Sequence, residues 1–153
     1  ESFDYNTNHM LTTKTMYNYD EIDNVWVNYQ RETYWYNSIQ KVDSFLLEVG
    51  SQPGGNWFDH SYIIYDYNPT NLLVLSNAFR FLTGSISPTD RDTFIYNTND
   101  LLVEHKHLTF HSGTNMWSIF STDSLYYDTS ENLISEIEFR NTNNGLTPQR
   151  KVT

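Results

Sequence analysis

Trp26-Val27-Asn28-Tyr29-Gln30-Arg31-Glu32-Thr33-Tyr34-Trp35-Tyr36-Asn37, then a short polar turn, then Val42: this stretch decides how the chain is read. It has the form of a strand, a turn and the start of the next strand, and it recurs. A Tyr followed by Asn or Asp stands at Tyr5-Asn6, Tyr36-Asn37, Tyr67-Asn68, Tyr96-Asn97 and Tyr127-Asp128, a nearly constant spacing. Six residues after each Tyr comes an apolar residue: Leu11, Val42, Leu73, Leu102 and Leu133. Trp57 follows Trp26 at the same spacing, and Trp117 follows Trp57 at close to twice that spacing; Ser87-Pro88 stands where the third repeat would carry its Trp. A fixed period of this kind, here about 31 residues, marks stacked supersecondary units.

Each unit reads as two antiparallel strands of about eight to eleven residues, joined by a short turn at one end and a longer loop at the other. The short turns fall at 6–9, 37–40, 68–71, 97–100 and 128–131. Outgoing strands are expected over 11–17, 42–49, 72–82, 101–110 and 133–140, and return strands over 26–36, 57–67, 90–96 and 117–127, with a further return from Leu146. The longer loops then cover 20–24, 50–56, 83–89, 111–115 and 141–145, which places Pro53, Pro69 and Pro88 in turns or loops, where a missing N–H costs little. The expectation is one all-β array over residues 1–153: about five tandem units of roughly 31 residues in a meander or solenoid-like sheet.

Composition agrees. The chain has 12 Tyr, 9 Phe and 4 Trp but a single alanine, Ala78, and it is rich in Asn and Thr. Those are strand and turn residues, not helix residues. A hydrophobic share of 38% and a mean hydropathy of −0.61 mean that much of each strand faces water. The net charge of −10 argues against nucleic acid and anionic membrane surfaces as partners, because both need a basic footprint. No apolar run reaches the roughly 18 to 20 residues of a membrane-spanning helix. The chain has no cysteine, which does not fix its compartment.

Strict alternation puts Leu11/Tyr17, Val42/Leu46 and Leu133/Ile137/Phe139 on one face of the outgoing strands. In the return strands it puts Trp26/Tyr34/Tyr36, Trp57/Tyr65/Tyr67, Phe94/Tyr96 and Trp117/Leu125/Tyr127 in phase, an apolar-aromatic ladder. The residues that could contact a ligand by stacking are therefore Trp26, Trp57 and Trp117 with Tyr36, Tyr67, Tyr96 and Tyr127, although one aromatic per unit is also what packing between neighbouring units requires. The run Gln149-Arg150-Lys151-Val152-Thr153 resembles Gln30-Arg31-Glu32-Thr33, and Glu1-Ser2-Phe3-Asp4-Tyr5 looks like the tail of a return strand. The expectation is a segment of a longer array, or a subunit that pairs end to end with copies of itself.

Other chemistry is thin. His105 and His107 share a strand face, with His111 following; two in-phase imidazoles can bind a transition metal, but no in-phase carboxylate or Cys completes a site locally. Asp20, Glu21, Asp23 and Asn24 crowd one loop with oxygens, without the spacing or glycine of a calcium loop. The Asn/Asp turns could each hold Ca2+, yet Asx turns satisfy their own backbone without it. Asp59, Asp90, Asp92, Asp123 and Glu32 offer no pair marked out for glycoside hydrolysis. There is no nucleophile elbow, dinucleotide fingerprint or P-loop. Neither catalytic nor metal-ligating residues are assigned.

The units, best preserved from Trp26 to Asn37, resemble the tandem repeats of large secreted and cell-surface proteins of Bacteroidota, such as flavobacterial proteins exported by the type IX system. Arg91 keeps the phase of Arg31, whereas Tyr62 and Thr122 replace it in other copies. A more distant likeness is to the YD-repeat shells of polymorphic toxins, which usually carry a Gly after the turn that this chain lacks. The resemblance implies an extracellular or cell-surface protein with a structural or adhesive, non-enzymatic role, part of an adhesin or fibre. Its partners would be neighbouring repeats, copies of itself, or glycans, and no catalytic residues carry over. A carbohydrate-binding module that uses exposed Trp and Tyr is the alternative.

Overall fold

The computed structural model describes residues 1–51, 56–142 and 145–153. Eleven strands follow one another in the chain: β1 (Ser2–Tyr5), β2 (Leu11–Asp20), β3 (Val25–Tyr36), β4 (Val42–Gly50), β5 (Trp57–Tyr67), β6 (Leu73–Leu82), β7 (Ser85–Tyr96), β8 (Leu102–His111), β9 (Met116–Tyr127), β10 (Leu133–Thr142) and β11 (Gly145–Val152). They form one sheet whose strand order is the chain order, the all-β meander that the period implies. No helix occurs among the described residues. Residues 52–55, with Pro53, and residues 143–144 of the expected long loops lie outside the described residues.

The chain falls into two compact units, one of residues 1–64 and 78–87, the other of 65–77 and 88–153. In the first, β2 pairs with β1 and β3, and β4 with β3 and β5. In the second, β7 to β11 pair in sequence.

The turns repeat atom for atom. Asn6 Oδ1 accepts the backbone N–H groups of Asn8 and Met10, and Asn37, Asn68, Asn97 and Asp128 do the same for the residues two and four places on. The fourth residue of each turn adopts positive φ: His9, Gln40, Asn71, Asp100 and Glu131, at 59° to 65°. Each Asx oxygen thus receives two backbone donors, the role for which a short polar side chain is selected at a turn.

Two expectations are corrected. The long loop proposed for 83–89 is a tight turn at Thr83-Gly84, with Gly84 at φ 79°, and β7 already runs from Ser85. Pro88 therefore sits inside a strand, not in a loop. The second correction concerns the faces. Recurrent β-bulges interrupt the alternation on four outgoing and four return strands. On outgoing strands the extra residue is Thr12, Asp43, Val103 or Ile134, immediately opposite the Tyr that ends the return strand. On return strands it is Tyr29, His60, Phe120 or Gln149. An extra residue leaves the residues beyond it on the opposite face. Trp26 is thus cross-strand to Tyr19, on the face of Arg31 and Trp35, and not with Tyr34 and Tyr36. Val42 and Leu46 likewise part company across the bulge at Asp43.

Little of this is an enclosed hydrophobic core. Among the described residues Val27 is the one buried hydrophobic side chain, while Thr15, Ser44, Glu48, Ser76 and Thr122 are buried polar groups. Stability must come from strand ladders and cross-strand side-chain pairs.

Candidate functional site

Return-strand arginines build the first recurrent cluster. Arg31, on β3, is cross-strand to Glu48 on β4. It donates Nε to Oε2 at 2.6 Å and Nη2 to Oε1 at 2.5 Å, a two-pronged pairing onto a buried carboxylate. The hydrogen bond to Glu48 raises the Arg31 pKa against the opposing effect of burial. The same guanidinium lies 4.7 Å from the centre of the Trp57 ring, a cation–π contact. Arg91 and Trp117 repeat the arrangement in the second unit at 4.5 Å, with Arg91 Nε donating to Asn77 Oδ1 at 2.7 Å. The separation in sequence between Arg and Trp is the same in both pairs.

The tyrosines make the second. Tyr36 donates its hydroxyl to the Leu11 carbonyl at 2.6 Å, Tyr96 to Leu73 at 2.8 Å and Tyr127 to Leu102 at 2.9 Å. Each ties the end of a return strand to the first residue of the outgoing strand one repeat earlier. Burial pushes the Tyr96 phenol up, which keeps it a donor. Tyr67, at the equivalent place, is half-buried and engaged. Of the seven aromatics singled out in the sequence, Tyr36, Tyr96 and Tyr127 are thus tied to backbone, while Trp57 and Trp117 carry arginines.

Trp26 differs. It is 69% exposed and no guanidinium among the described residues covers it; it stacks at a tilt on Tyr19, with ring centres 5.2 Å apart. Tyr17 and Tyr19 share its sheet face. Glu1, Tyr17 and Trp26 line a hollow of about 330 Å³. The combination of an open indole, a phenol and a carboxylate suits a cation or a ring with hydroxyls.

The second unit holds an arrangement that the sequence reading missed. His105 Nε2 lies 2.9 Å from Asp92 Oδ1 and its Nδ1 3.1 Å from Asp123 Oδ2. His107 Nδ1 lies 2.9 Å from the same Asp92 oxygen and its Nε2 3.4 Å from Asp90. Ser76 donates to Asp92 Oδ2 at 3.1 Å. Burial alone would raise the Asp92 carboxyl, but the hydrogen bonds from His107, His105 and Ser76 outweigh it and hold the group below its usual value. β8's own carboxylate, Glu104, is out of phase with the two imidazoles, and the in-phase carboxylates come from the neighbouring strands: Asp92 is cross-strand to His107, and Asp123 to His105. Laying each repeat on the one two places before it would have found them. That overlay matches His105 with Phe45, His107 with Leu47, Asp92 with Glu32 and Asp123 with Ile63. Phe94 stacks on His105 at 4.8 Å as Tyr34 packs on Phe45 at 5.2 Å. No group of three or more such residues has metal-ligating geometry among the described residues. The network is a chain of charge-assisted hydrogen bonds on one sheet face. His111 stands apart from it, with Nε2 2.6 Å from Ser118 Oγ. In the acidic loop, Asp20 Oδ1 accepts the N–H groups of Ile22 and Asp23, and Tyr19 bonds to Asn24.

No family model matches the chain, and no curated protein matches it significantly. Solved structures do. A crystal structure of a protein of unknown function from Bacteroides fragilis matches with a TM-score of 0.66, over 80% of this chain and 90% of its own, at 8% identity. What is shared is the fold. Two DUF3836 family proteins, from Bacteroides vulgatus and Parabacteroides distasonis, each match 59% of this chain, with TM-scores of 0.48 and 0.46 and identities of 15% and 19% over 95% and 88% of their own chains.

Proposed function

We propose that this chain is a non-catalytic β-repeat scaffold, with a structural or adhesive role at the outside of the cell, acting through its strand edges and exposed aromatics. The observation that supports this reading is how the repeated aromatics are used. Three of the Tyr hydroxyls close on backbone carbonyls, and Trp57 and Trp117 are covered by arginines, so these side chains hold one repeat to the next. The extracellular setting rests on the resemblance of the repeats to Bacteroidota surface proteins. The test compares melting of Trp57→Ala, Trp117→Ala and Trp26→Ala. The scaffold reading expects the first two to melt well below wild type and the third to match it; equal, small effects would overturn it.

A second reading, a carbohydrate-binding module, is favoured by one observation: the 69% exposed Trp26 beside Tyr17 and Glu1. A three-tryptophan platform is not what supports it, because Trp57 and Trp117 have guanidinium groups on their rings. Binding on a glycan array that Trp26→Ala abolishes without loss of stability would favour this reading.

A further inference from the structure

The two imidazoles of β8 aim at one atom. His105 Nε2 and His107 Nδ1 each lie 2.9 Å from Asp92 Oδ1. Their outer nitrogens face other carboxylates, His105 Nδ1 at 3.1 Å from Asp123 Oδ2 and His107 Nε2 at 3.4 Å from Asp90 Oδ1. A carboxylate only accepts, so each outer nitrogen carries an N–H, and a neutral ring then turns a bare lone pair toward Asp92. Something positive has to stand between those lone pairs and that oxygen, either protons or a metal ion. We propose that the cluster binds one divalent transition metal ion of the zinc type, held by His105 Nε2, His107 Nδ1 and the Asp92 carboxylate. The proposal goes beyond the scaffold reading and stands or falls separately from it.

Four observations carry it. The first is donor type: two imidazoles and one carboxylate are the nitrogen and oxygen set that suits zinc, whereas calcium and magnesium take oxygens. The second is spacing. Two donors bound to one ion at about 2.0–2.1 Å stand about 2.9–3.4 Å apart, between a right angle and the tetrahedral angle. The Asp92 oxygen is 2.9 Å from both nitrogens. The third is the shell around them. A carboxylate on the far nitrogen of a ligating histidine fixes its tautomer and ring orientation, and both rings have one. Phe94 stacks on His105, Phe120 meets His107 edge-on with ring centres 5.7 Å apart, and Ser76 holds the second oxygen of Asp92. The fourth is charge and access. Asp90, Asp92 and Asp123 surround two imidazoles in a chain of net charge −10, and the side chains of His105, His107 and Asp92 are 27%, 30% and 28% exposed, open to an ion from solvent. The cluster as it stands is closed by hydrogen bonds and not set for ligation. The ion displaces protons from it, and the three side chains turn toward the ion while the strand register holds. The first unit offers no counterpart, because Phe45 and Leu47 occupy the histidine positions.

Titration calorimetry of the chelator-treated chain with zinc chloride near pH 7 tests this. One ion per chain should bind with a Kd on the order of 10 μM or tighter, and zinc should raise the melting temperature while calcium chloride leaves it unchanged. His105→Gln and His107→Gln, checked for folding by circular dichroism, should each weaken binding by roughly a hundredfold, and Asp123→Asn by roughly tenfold. His111→Gln should bind like wild type, since His111 stands apart on Ser118. Ring nitrogen NMR of the wild-type chain needs no variant: zinc should shift His105 Nε2 and His107 Nδ1 as ligated atoms and leave their outer N–H groups in place. No saturable binding below about 1 mM zinc, binding that survives His107→Gln, a loss as large in His111→Gln, or ring nitrogens that zinc does not move would each overturn the proposal and leave protons alone in the cluster. The melting test of the scaffold reading concerns Trp57 and Trp117 and is untouched by any of these outcomes.

Discussion

Removing Arg31 puts the internal clasp to its sharpest test. Arg31→Met leaves the Glu48 carboxylate, 8% exposed at its side chain, without its two-pronged partner. Breaking a buried ion pair costs about 3–5 kcal/mol. The Arg31 side chain is 33% exposed, so solvent screens part of this and about 2–3 kcal/mol is the appropriate scale. Loss of the contact with Trp57 adds about 0.5–1 kcal/mol. The sum, about 3 kcal/mol, corresponds to roughly a hundredfold faster hydrogen exchange at β4 amides where exchange follows local opening. Exchange is a better readout than a single melting temperature, because stacked repeats need not unfold as one. Arg31→Met combined with Glu48→Met should recover most of the loss, since an apolar pair of similar volume replaces a buried ion pair at little cost. The cycle should show about 2 kcal/mol of coupling. Arg91→Met is the internal comparison: its partner is the neutral Asn77, so its cost should be about 1.5 kcal/mol, read at β7 and β8. Single losses that add to within about 0.5 kcal/mol, or an Arg91→Met effect as large as that of Arg31→Met, would refute the reasoning.

Tyr127→Phe should cost about 1 kcal/mol, seen as roughly fivefold faster exchange at the start of β8, while Tyr126→Phe, at an exposed position with no such bond, should be neutral. The backbone hydrogen bond from Asn132, followed by its side-chain bond and that from Ser130, holds the Asp128 carboxyl below its ordinary value. Its contribution is therefore complete above the unfolded carboxylate's pKa of about 3.9 and is lost as pH falls through the lower folded value. Asp128→Asn keeps the accepting oxygen, so the stability difference from wild type should change between about pH 5 and pH 2; a constant difference would show that the turn carboxylate is not linked to folding. Gly50→Ala should be the costliest small change in the first unit, at about 1–3 kcal/mol by melting, because the added Cβ would lie 2.2 Å from the Asn28 carbonyl oxygen, a backbone atom. Gly113→Ala, with nothing within 4 Å, should be close to neutral.

The period, the strand order and the turns were legible because each is a local signal. Tyr-Asn at a fixed interval states where the chain reverses, and Asn37 or Asp128 does its work within four residues. The faces were not legible by alternation. A bulge such as Tyr29 adds no turn residue and no charge, yet it moves Trp26 away from Tyr34 and puts it on the face of Arg31. The β7 start was misplaced for a related reason. Pro88 reads as a breaker, but within a strand a proline costs only one ladder donor, and here the strand continues through it. The His–Asp network was hidden because it is assembled across strands, and only the register brings Asp92 to His107 and Asp123 to His105.

The two units show how one register accommodates different chemistry. Tyr34 on Phe45 beside Ile63 is an aromatic and aliphatic pairing; two repeats on, Phe94 on His105 beside Asp123 keeps the ring contact and replaces the rest with hydrogen-bonded charge. Such an exchange is tolerated on a sheet face that is not sealed in a core, because solvent screens the charges and each His nitrogen still faces a carboxylate. It follows that side chains along the strands are free to diverge while the turns and ties stay fixed. A lost tie such as that of Tyr36 would loosen the joint between successive repeats, whereas a change such as His107→Leu alters only the character of one face. Recognition should therefore diverge most readily at exposed faces and edges, and Trp26 with its uncovered ring is where this chain carries that freedom furthest.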